Sequence, residues 1–204
     1  MAAGGYGISH ALGVGSRDLS DQVGGAMMME AIRVFDADPD TDVIVLISKP
    51  PGQMTQKRIA LALQDVSKPC VVCFLGMEAQ DACIPDVYFE RSLHETANKV
   101  MDLKGGGPSE DKQLHSYPDM ILLQQASNDL GCEQRYIRGL YAGGTLAYES
   151  LLFLRNLNFD ISSNLDLPQV RSIDNKIQRT HDLIDMGHDQ FTQGFPHPMI
   201  DYRK

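Results

Sequence analysis

Two short apolar runs, separated by a helical pattern, constrain the fold of this chain most strongly. Residues 43–47 read Val-Ile-Val-Leu-Ile and residues 70–75 read Cys-Val-Val-Cys-Phe-Leu. Continuous apolar runs of this length are typical of strands buried on both faces of a parallel sheet. Between them, four apolar residues recur at helical spacing: Ile59, Ala62, Leu63 and Val66. We therefore expect two adjacent, parallel, central strands joined by a right-handed helical crossover.

The segments on either side continue this alternation of strands and helices. An earlier helix, capped by Ser20 or Asp21 and ended at Asp38, is predicted to bury four residues: Met27, Ala31, Val34 and Phe35. After a short strand at residues 87–89, Ser92 and Glu95 form a capping box. The helix that follows is predicted to bury Ala97, Val100 and Met101. This order of elements predicts an open α/β sheet.

Two glycine-rich turns follow apolar stretches and are predicted to lead from a strand into a helix. The first comes after residues 8–12 and the second after residues 136–137. Backbone N–H groups at such a turn, together with the helix N-terminus, can bind an anion. The candidate phosphate-binding residues are Gly13, Gly15, Ser16 and Arg17 at the first turn, and Arg138, Gly143, Gly144 and Thr145 at the second. The alternatives are that Arg17 is an exposed turn residue and that Thr145 only caps a helix.

Arg17, Lys49 and His197 are the candidates for a catalytic role. Arg17 can clamp a carboxylate or phosphate through two parallel hydrogen bonds. Lys49 follows the first apolar run, at the carboxyl end of a strand, where open α/β sheets bind ligands. His197 lies between two prolines in a rigid loop, and the alternative for it is an inert surface histidine.

The cysteines and the histidine–aspartate cluster do not predict a metal site. Cys70 and Cys73 are three apart in a strand, so their side chains point to opposite faces and are expected to be buried reduced thiols. The cluster consists of His181, Asp182, Asp185, His188 and Asp189. Because Gly187 would interrupt a helix there, this segment is interpreted as a solvated acidic turn, apart from a short strand at residues 183–184.

The composition excludes several classes of function. The 204 residues carry a net charge of -9, which argues against non-specific binding of nucleic acid. No apolar run is long enough to span a membrane, and the first residues do not resemble a signal peptide, so a cytoplasmic protein is expected.

Residues 104–119 have the glycine-rich composition of a linker. They are expected to separate a domain at residues 1–103 from a second at residues 120–204.

Several motifs resemble the ligase domains of the succinyl-CoA synthetase superfamily, and most closely the FdrA-type acyl-CoA synthetase-like proteins. The resemblance to the ligase domain rests on residues 13–18, 43–52, 69–76 and 91–93, and on Gly143-Gly144-Thr145-Leu146-Ala147-Tyr148-Glu149, which is similar to the motif that opens such a domain. The FdrA-type resemblance rests on residues 7–10, 17–21, 23–25, 138–141 and 196–201.

The resemblance implies a flavodoxin-like open parallel sheet with flanking helices, followed by the start of a second such domain. By this comparison residues 1–103 lack the first strand of the domain and residues 120–204 are an incomplete second copy, as in an internal piece of a longer protein. The implied ligand is a small acyl or carbamoyl substrate. No cofactor is expected within this segment, whereas CoA and a nucleoside triphosphate are expected in the full-length protein. The implied partners are the rest of that chain and partner subunits.

The sequence departs from the family in the phosphohistidine relay. Residues 76–86, which correspond to the loop that carries the histidine, contain none, and Lys49 stands in place of a glutamate. The resemblance therefore implies a ligase segment that binds an acyl- or carbamoyl-phosphate-like anion without a phosphohistidine. One alternative is a subunit of an oxamate carbamoyltransferase in ureide breakdown. Another is a non-catalytic ligase fold with a role in assembly.

Overall fold

The computed structural model describes residues 5–15, 17–77, 84–106, 120–173 and 180–201. The chain forms two compact units, Met1–Ser116 and Tyr117–Lys204. Each unit contains a sheet of parallel strands flanked by helices. This confirms the predicted flavodoxin-like α/β fold class. Most of the predicted linker, residues 107–119, lies outside the described residues.

The first unit is built around a parallel sheet with the order β1-β2-β3. Its described elements are α1 (Ala26–Ala37), β1 (Ile44–Ser48), α2 (Gln53–Leu63), β2 (Cys70–Phe74), β3 (Val87–Phe89) and α3 (Leu93–Leu103). In the register of the first two strands, Ile44 lies opposite Cys70 and Ser48 opposite Phe74. The predicted parallel pairing of the two apolar runs is therefore confirmed.

The two paired strands differ in burial, which corrects the prediction that both are central. All five residues of β2 are buried, whereas Ile47 of β1 is 43% exposed. Among the described residues, β1 has a paired strand on one side only, so it lies at the edge of the described sheet. The apolar run predicted the strand correctly but not its position at the edge of the described sheet.

Helix α1 begins later than predicted, and although Phe35 packs against the core as predicted, the fully buried residues are not the predicted ones. Its N-cap is Gly25 rather than Ser20 or Asp21. Met28 and Ile32 are buried, while Met27 and Val34 are 58% and 45% exposed. The helix is apolar around most of its circumference, so two stripes compete in the sequence. Packing against β1 and α2, rather than periodicity, determines which stripe is buried.

Residues 8–12 do not form the predicted strand before the first glycine turn. Ile8 and Leu12 are 68% and 58% exposed, and this stretch has no regular secondary structure. It is attached to the unit through side chains, since the Ser9 hydroxyl lies 3.0 Å from that of Thr41. A short segment forms a strand only where another strand pairs with it, and no described strand pairs with residues 8–12.

The second unit contains a sheet with the order β4-β7-β5-β6, again with all pairs parallel. Its described elements are α4 (Met120–Asp129), β4 (Arg138–Tyr141), α5 (Gly144–Asn156), β5 (Ile161–Ser163), β6 (Arg171–Ser172), β7 (His181–Asp185) and α6 (Asp189–Thr192). The helix after the second glycine turn is as predicted. It buries four residues: Ala147, Tyr148, Leu151 and Leu152.

The thiol of Cys70 lies in the core of the first unit and is expected to be unreactive in the folded protein. Burial raises its pKa from 9.0 to about 12, with a smaller contribution from the charge of Asp36. Only the thiolate is nucleophilic, so at pH 8 the exposed Cys132 should be alkylated and Cys70 should not. Peptide mapping by mass spectrometry after brief alkylation measures both sites. Alkylation of native Cys70 as fast as Cys132 would contradict this burial, and denaturant should expose both.

Within the described ranges, none of the helices has the length and apolar character needed to cross a lipid bilayer.

Candidate anion-binding site

The first glycine turn and Lys49 both belong to the carboxyl edge of the first sheet. The backbone N–H of Gly52 donates to the carbonyl of Leu19 at 2.9 Å, which joins the segment after the turn to the segment after β1. Lys49 directly follows β1, as predicted. Arg17 is exposed in a turn at the same edge. Two of the three catalytic candidates, Arg17 and Lys49, therefore lie at the edge where ligands bind in open α/β sheets.

The N-terminus of α1 is occupied by a carboxylate of the chain itself. Asp18 is only 5% exposed, and its two oxygens accept hydrogen bonds from the N–H groups of Met27 and Met28, each at 2.9 Å. From the sequence, N–H groups at this helix N-terminus were expected to bind an external anion, but those of Met27 and Met28 bind Asp18 instead. The first turn is therefore not a direct strand-to-helix turn, because a loop folds back so that Asp18 can cap the helix.

A second carboxylate from the same loop caps α2. Oδ1 of Asp21 accepts hydrogen bonds from the N–H group of Thr55 at 2.9 Å and from its hydroxyl at 3.1 Å. Gly52, the N-cap, leaves room for this carboxylate, since a Cβ there would lie 2.2 Å from Asp21 Oδ1. Both helix N-termini next to β1 are thus satisfied internally.

The other candidates at the first turn lie in the loop before these caps. Gly13 is exposed, and Gly15 adopts a φ of 86° with its carbonyl accepting from the N–H of Asp18 at 3.3 Å. Ser16 lies outside the described residues. Neither described glycine is at the N-terminus of a helix. The structure therefore does not bring them together with the N–H donors that the sequence suggested.

The second glycine turn has the predicted geometry. Gly143 is the N-cap of α5, with a φ of −137°, and it directly follows β4 after Ala142. Gly144 and Thr145 form the first turn of the helix, so the cap is Gly143 and not Thr145. Apart from its chain neighbours, no described heavy atom lies within 4 Å of the position that a Cβ on Gly143 would take. The N-terminus of α5 is therefore open where those of α1 and α2 are filled.

The end of strand β7 lies next to this turn. The N–H of Met186 donates to the carbonyl of Tyr141 at 2.7 Å, which continues the pairing of β4 with β7. Asp185, the last residue of β7, is 2% exposed, and its Oδ1 accepts the N–H of Gly187 at 2.9 Å. A buried carboxylate and an open helix N-terminus thus meet at the carboxyl edge of the second sheet.

Asn164 fixes the end of β7 from the other side. Its side-chain oxygen accepts the N–H of Asp185 at 2.8 Å, and its side-chain nitrogen donates to the carbonyl of Asp185 at 2.9 Å. The side-chain amide of Asn164 therefore makes the two hydrogen bonds that a backbone residue of a paired strand would make, just after β5 ends at Ser163. Since both polar groups of the Asp185 backbone are bonded, the backbone at that residue is held tightly.

His197 lies against Gly187 at this edge. A Cβ added to Gly187 would lie 2.9 Å from His197 Nε2 and 3.1 Å from both Ala142 O and Asp185 Oδ1. The imidazole, the carboxylate and the peptide that leads into α5 therefore surround one point. Of the three catalytic candidates, His197 is the one that the structure places at the carboxyl edge of the second sheet, beside Gly187.

Arg138 is placed away from this group. It is the first residue of β4, so it lies at the amino end of the strand whose carboxyl end leads to Gly143. Its Nε is 3.2 Å from Asp182 Oδ2, and its guanidinium also donates to the carbonyl of Thr180. Arg138 therefore ties β4 to β7 at the opposite edge. Its proximity to the glycine motif in sequence did not predict this separation, because a strand lies between them.

The sequence did not identify Asp185, Asn164 or Gly187 as residues of a site. The segment interpreted as a solvated acidic turn begins with strand β7, which is longer than the predicted strand and buries Leu183 and Asp185 on one face, and the turn itself is confined to residues 186–188. The available signal was an aspartate directly after the apolar residues 183–184, which is the position of a carboxyl-end side chain in a parallel strand. No comparable signal predicted Asn164, because its contact with Asp185 spans 21 residues. Within the described ranges, no three His, Cys, Asp or Glu side chains come together in a way that could hold a metal ion.

The sequence is similar to that of a curated bacterial protein. The chain is 37% identical over 198 residues to the Uncharacterized protein YahF of Escherichia coli (strain K12). The aligned region covers 97% of this chain and 38% of the relative, so the chain spans well under half of that protein's length. No family model matches the sequence.

Proposed function

We propose that this protein is an acyl-CoA synthetase-like ligase segment of FdrA type that binds an acyl- or carbamoyl-phosphate-like anion at the N-terminus of α5. The observation that carries the proposal is the open N-cap at Gly143, at the carboxyl edge of a parallel sheet and next to Asp185 and His197. The motif resemblance at residues 143–149 supports the same assignment. The whole protein would add CoA, a nucleoside triphosphate and partner subunits.

The chemistry proposed for this site is electrostatic. The first N–H groups of α5 have no partner within the helix and carry the positive end of the helix dipole, which favours an oxyanion. Oriented dipoles at such a position stabilise the charge that develops on a phosphoryl or acyl oxygen during transfer. In this proposal the turns of the first unit serve the fold, since Asp18 and Asp21 already occupy their helix N-termini.

Carbamoyl transfer is the second candidate function, and the sequence between β2 and β3 favours it. This segment contains no histidine, so it cannot carry a phosphohistidine. In the family that the sequence resembles, nucleotide-driven thioester synthesis depends on that phosphohistidine. CoA thioester formation with a nucleoside triphosphate would support the ligase. Formation of carbamoyl phosphate only when partner subunits are added would support the transferase instead.

The variant Gly143→Ala tests the anion site itself. Its Cβ would enter open space with an ordinary φ, so the free energy of unfolding should fall by less than about 1 kcal/mol. The same Cβ would stand in front of the N–H donors, so affinity for inorganic phosphate and carbamoyl phosphate should fall by about tenfold or more. Calorimetric titration measures the affinities, and thermal unfolding measures the stability.

Gly7→Ala is the matched control, because it also places a Cβ in open space, in the other unit. It should leave both anion affinity and stability unchanged. Equal affinities for the wild type, Gly7→Ala and Gly143→Ala would place anion binding elsewhere. A wild-type protein that binds neither phosphate nor carbamoyl phosphate would support the non-catalytic assembly role.

A further inference from the structure

The chain that enters β4 is bound to β7 through both backbone groups of Ile137. Its carbonyl accepts the N–H of Asp182 at 3.0 Å, as in an ordinary parallel pair. Its N–H would donate to the carbonyl of Thr180 if that pattern continued. The Arg138 guanidinium occupies this carbonyl, and the Ile137 N–H donates instead to Nδ1 of His181 at 3.0 Å. A side chain thus replaces a backbone acceptor here.

Only the neutral imidazole can make this contact. A backbone N–H is always a donor, so Nδ1 must offer its lone pair to Ile137. When the ring gains its second proton, Nδ1 becomes a donor as well, and two N–H groups then face each other. Histidine is the side chain whose charge changes between about pH 5 and pH 8. The hydrogen bond is therefore made at the upper end of this range and lost at the lower end.

Two aromatic rings hold the imidazole of His181 in place. The ring of Phe159 meets it edge-on with 4.9 Å between the centroids, and the ring of Tyr136 does so with 5.9 Å. The side chain is half-buried as a result. Its orientation toward the Ile137 N–H is therefore fixed by packing on both sides.

The charged groups nearest to His181 are paired with other residues. Asp182 is next in the strand, so its side chain points to the opposite face, where Oδ2 lies 3.2 Å from Arg138 Nε. On the side of β5, the carbonyl of Asp160 accepts the His181 N–H at 3.3 Å, while its carboxylate pairs with Arg171. Among the residues that the structure describes, none forms an ion pair with the imidazole. Protonation therefore gains no ion pair to offset the lost hydrogen bond.

We infer that His181 is a pH-sensitive clasp for the amino end of β4, closed while its ring is neutral and released when the ring is protonated. Release is local, because the Ile137 carbonyl stays bonded to the Asp182 N–H and Arg138 stays bonded to the Thr180 carbonyl. Acid thus frees the chain that leads into β4 without unpairing the strand. The clasp needs no bound anion and is independent of the proposed function.

Hydrogen exchange of two neighbouring amides, followed by NMR at pH 8 and pH 5, measures the clasp. Each rate is divided by that of an unstructured peptide at the same pH, which removes the intrinsic effect of pH. Protection of the Ile137 amide should fall about fivefold at the lower pH, as for the loss of one hydrogen bond. Protection of the Asp182 amide should stay within about twofold, because its acceptor is not titrated.

Two substitutions of His181 separate the acceptor from the ring. In His181→Asn, a side-chain oxygen stands near the position of Nδ1 and accepts at both pH values, so Ile137 should stay protected at both. His181→Phe keeps an aromatic ring against Phe159 and Tyr136 but has no acceptor. Its Ile137 amide should be as weakly protected at pH 8 as that of the wild type at pH 5.

Three results would overturn the clasp: equal protection of wild-type Ile137 at the two pH values, an equal loss at the Asp182 amide, or a pH dependence that persists in His181→Asn. The second would mean that the whole strand opens. The wild-type comparison needs no variant, so it decides the question even where a substitution perturbs the fold. Gly143→Ala should keep the wild-type pH dependence whether or not the protein binds phosphate, so the clasp and the proposed function can fail separately.

Discussion

Replacing Asp18 with alanine should destabilise the first unit by about 2–4 kcal/mol, because two charge-assisted hydrogen bonds at a helix N-terminus are lost together. The carboxylate is buried and accepts the N–H groups of both Met27 and Met28. Without the carboxylate, the N–H groups of Met27 and Met28 stay partly buried and have no acceptor at the position that Asp18 occupied. Urea unfolding followed by circular dichroism measures the change, and hydrogen exchange at the two amides locates it.

Two further substitutions make this measurement specific. Asp18→Asn keeps an acceptor oxygen but loses the charge, so its loss of stability should be intermediate. Asp65→Ala removes an exposed carboxylate from the same unit and should change the free energy of unfolding by no more than about 0.5 kcal/mol. Equal stability of Asp18→Ala and Asp65→Ala would show that the α1 N-terminus does not depend on Asp18.

The parallel sheet of the first unit could be predicted because burial on both faces leaves a direct record in the sequence. A run such as residues 70–75 has few alternatives to a buried strand, and β2 occupies Cys70–Phe74. The stripe that α1 buries could not be predicted in the same way. Both stripes of this helix are apolar, so the choice between Met27 and Met28 depends on partners that lie far away in sequence.

The two glycine turns show why the site was only partly predictable. They are similar as sequence motifs, and both lie at the carboxyl edge of a parallel sheet. They differ because Asp18 lies nine residues before the amide it caps at Met27, and this loop closure is a tertiary contact rather than a local pattern. At Gly143 the position that a Cβ would take is clear of described atoms other than those of its chain neighbours. A glycine-rich motif therefore predicts where backbone donors lie, but not whether the chain has already used them.

Gly187→Ala should have the second large effect, because it adds a methyl group where three polar atoms already converge. The new Cβ would lie 2.9 Å from His197 Nε2 and 3.1 Å from Ala142 O and Asp185 Oδ1. The imidazole can move away, but the backbone oxygen of Ala142 and the carboxylate of Asp185 are held by the pairing of β4 with β7. We expect a loss of about 1–3 kcal/mol in the free energy of unfolding, as for other overpacked sites.

The displacement of His197 gives this variant a signature that differs from that of Gly143→Ala. The imidazole signals of His197 should shift in NMR spectra of the ligand-free Gly187→Ala protein, because the added Cβ would lie 2.9 Å from Nε2. Gly143→Ala should lose affinity with little loss of stability, because its Cβ meets no described atom beyond its chain neighbours. Gly187→Ala should instead lose stability and shift the His197 signals. An unchanged melting temperature with unshifted His197 signals would mean that Gly187 does not separate the imidazole from Asp185, and the geometry assigned to this edge would then be wrong.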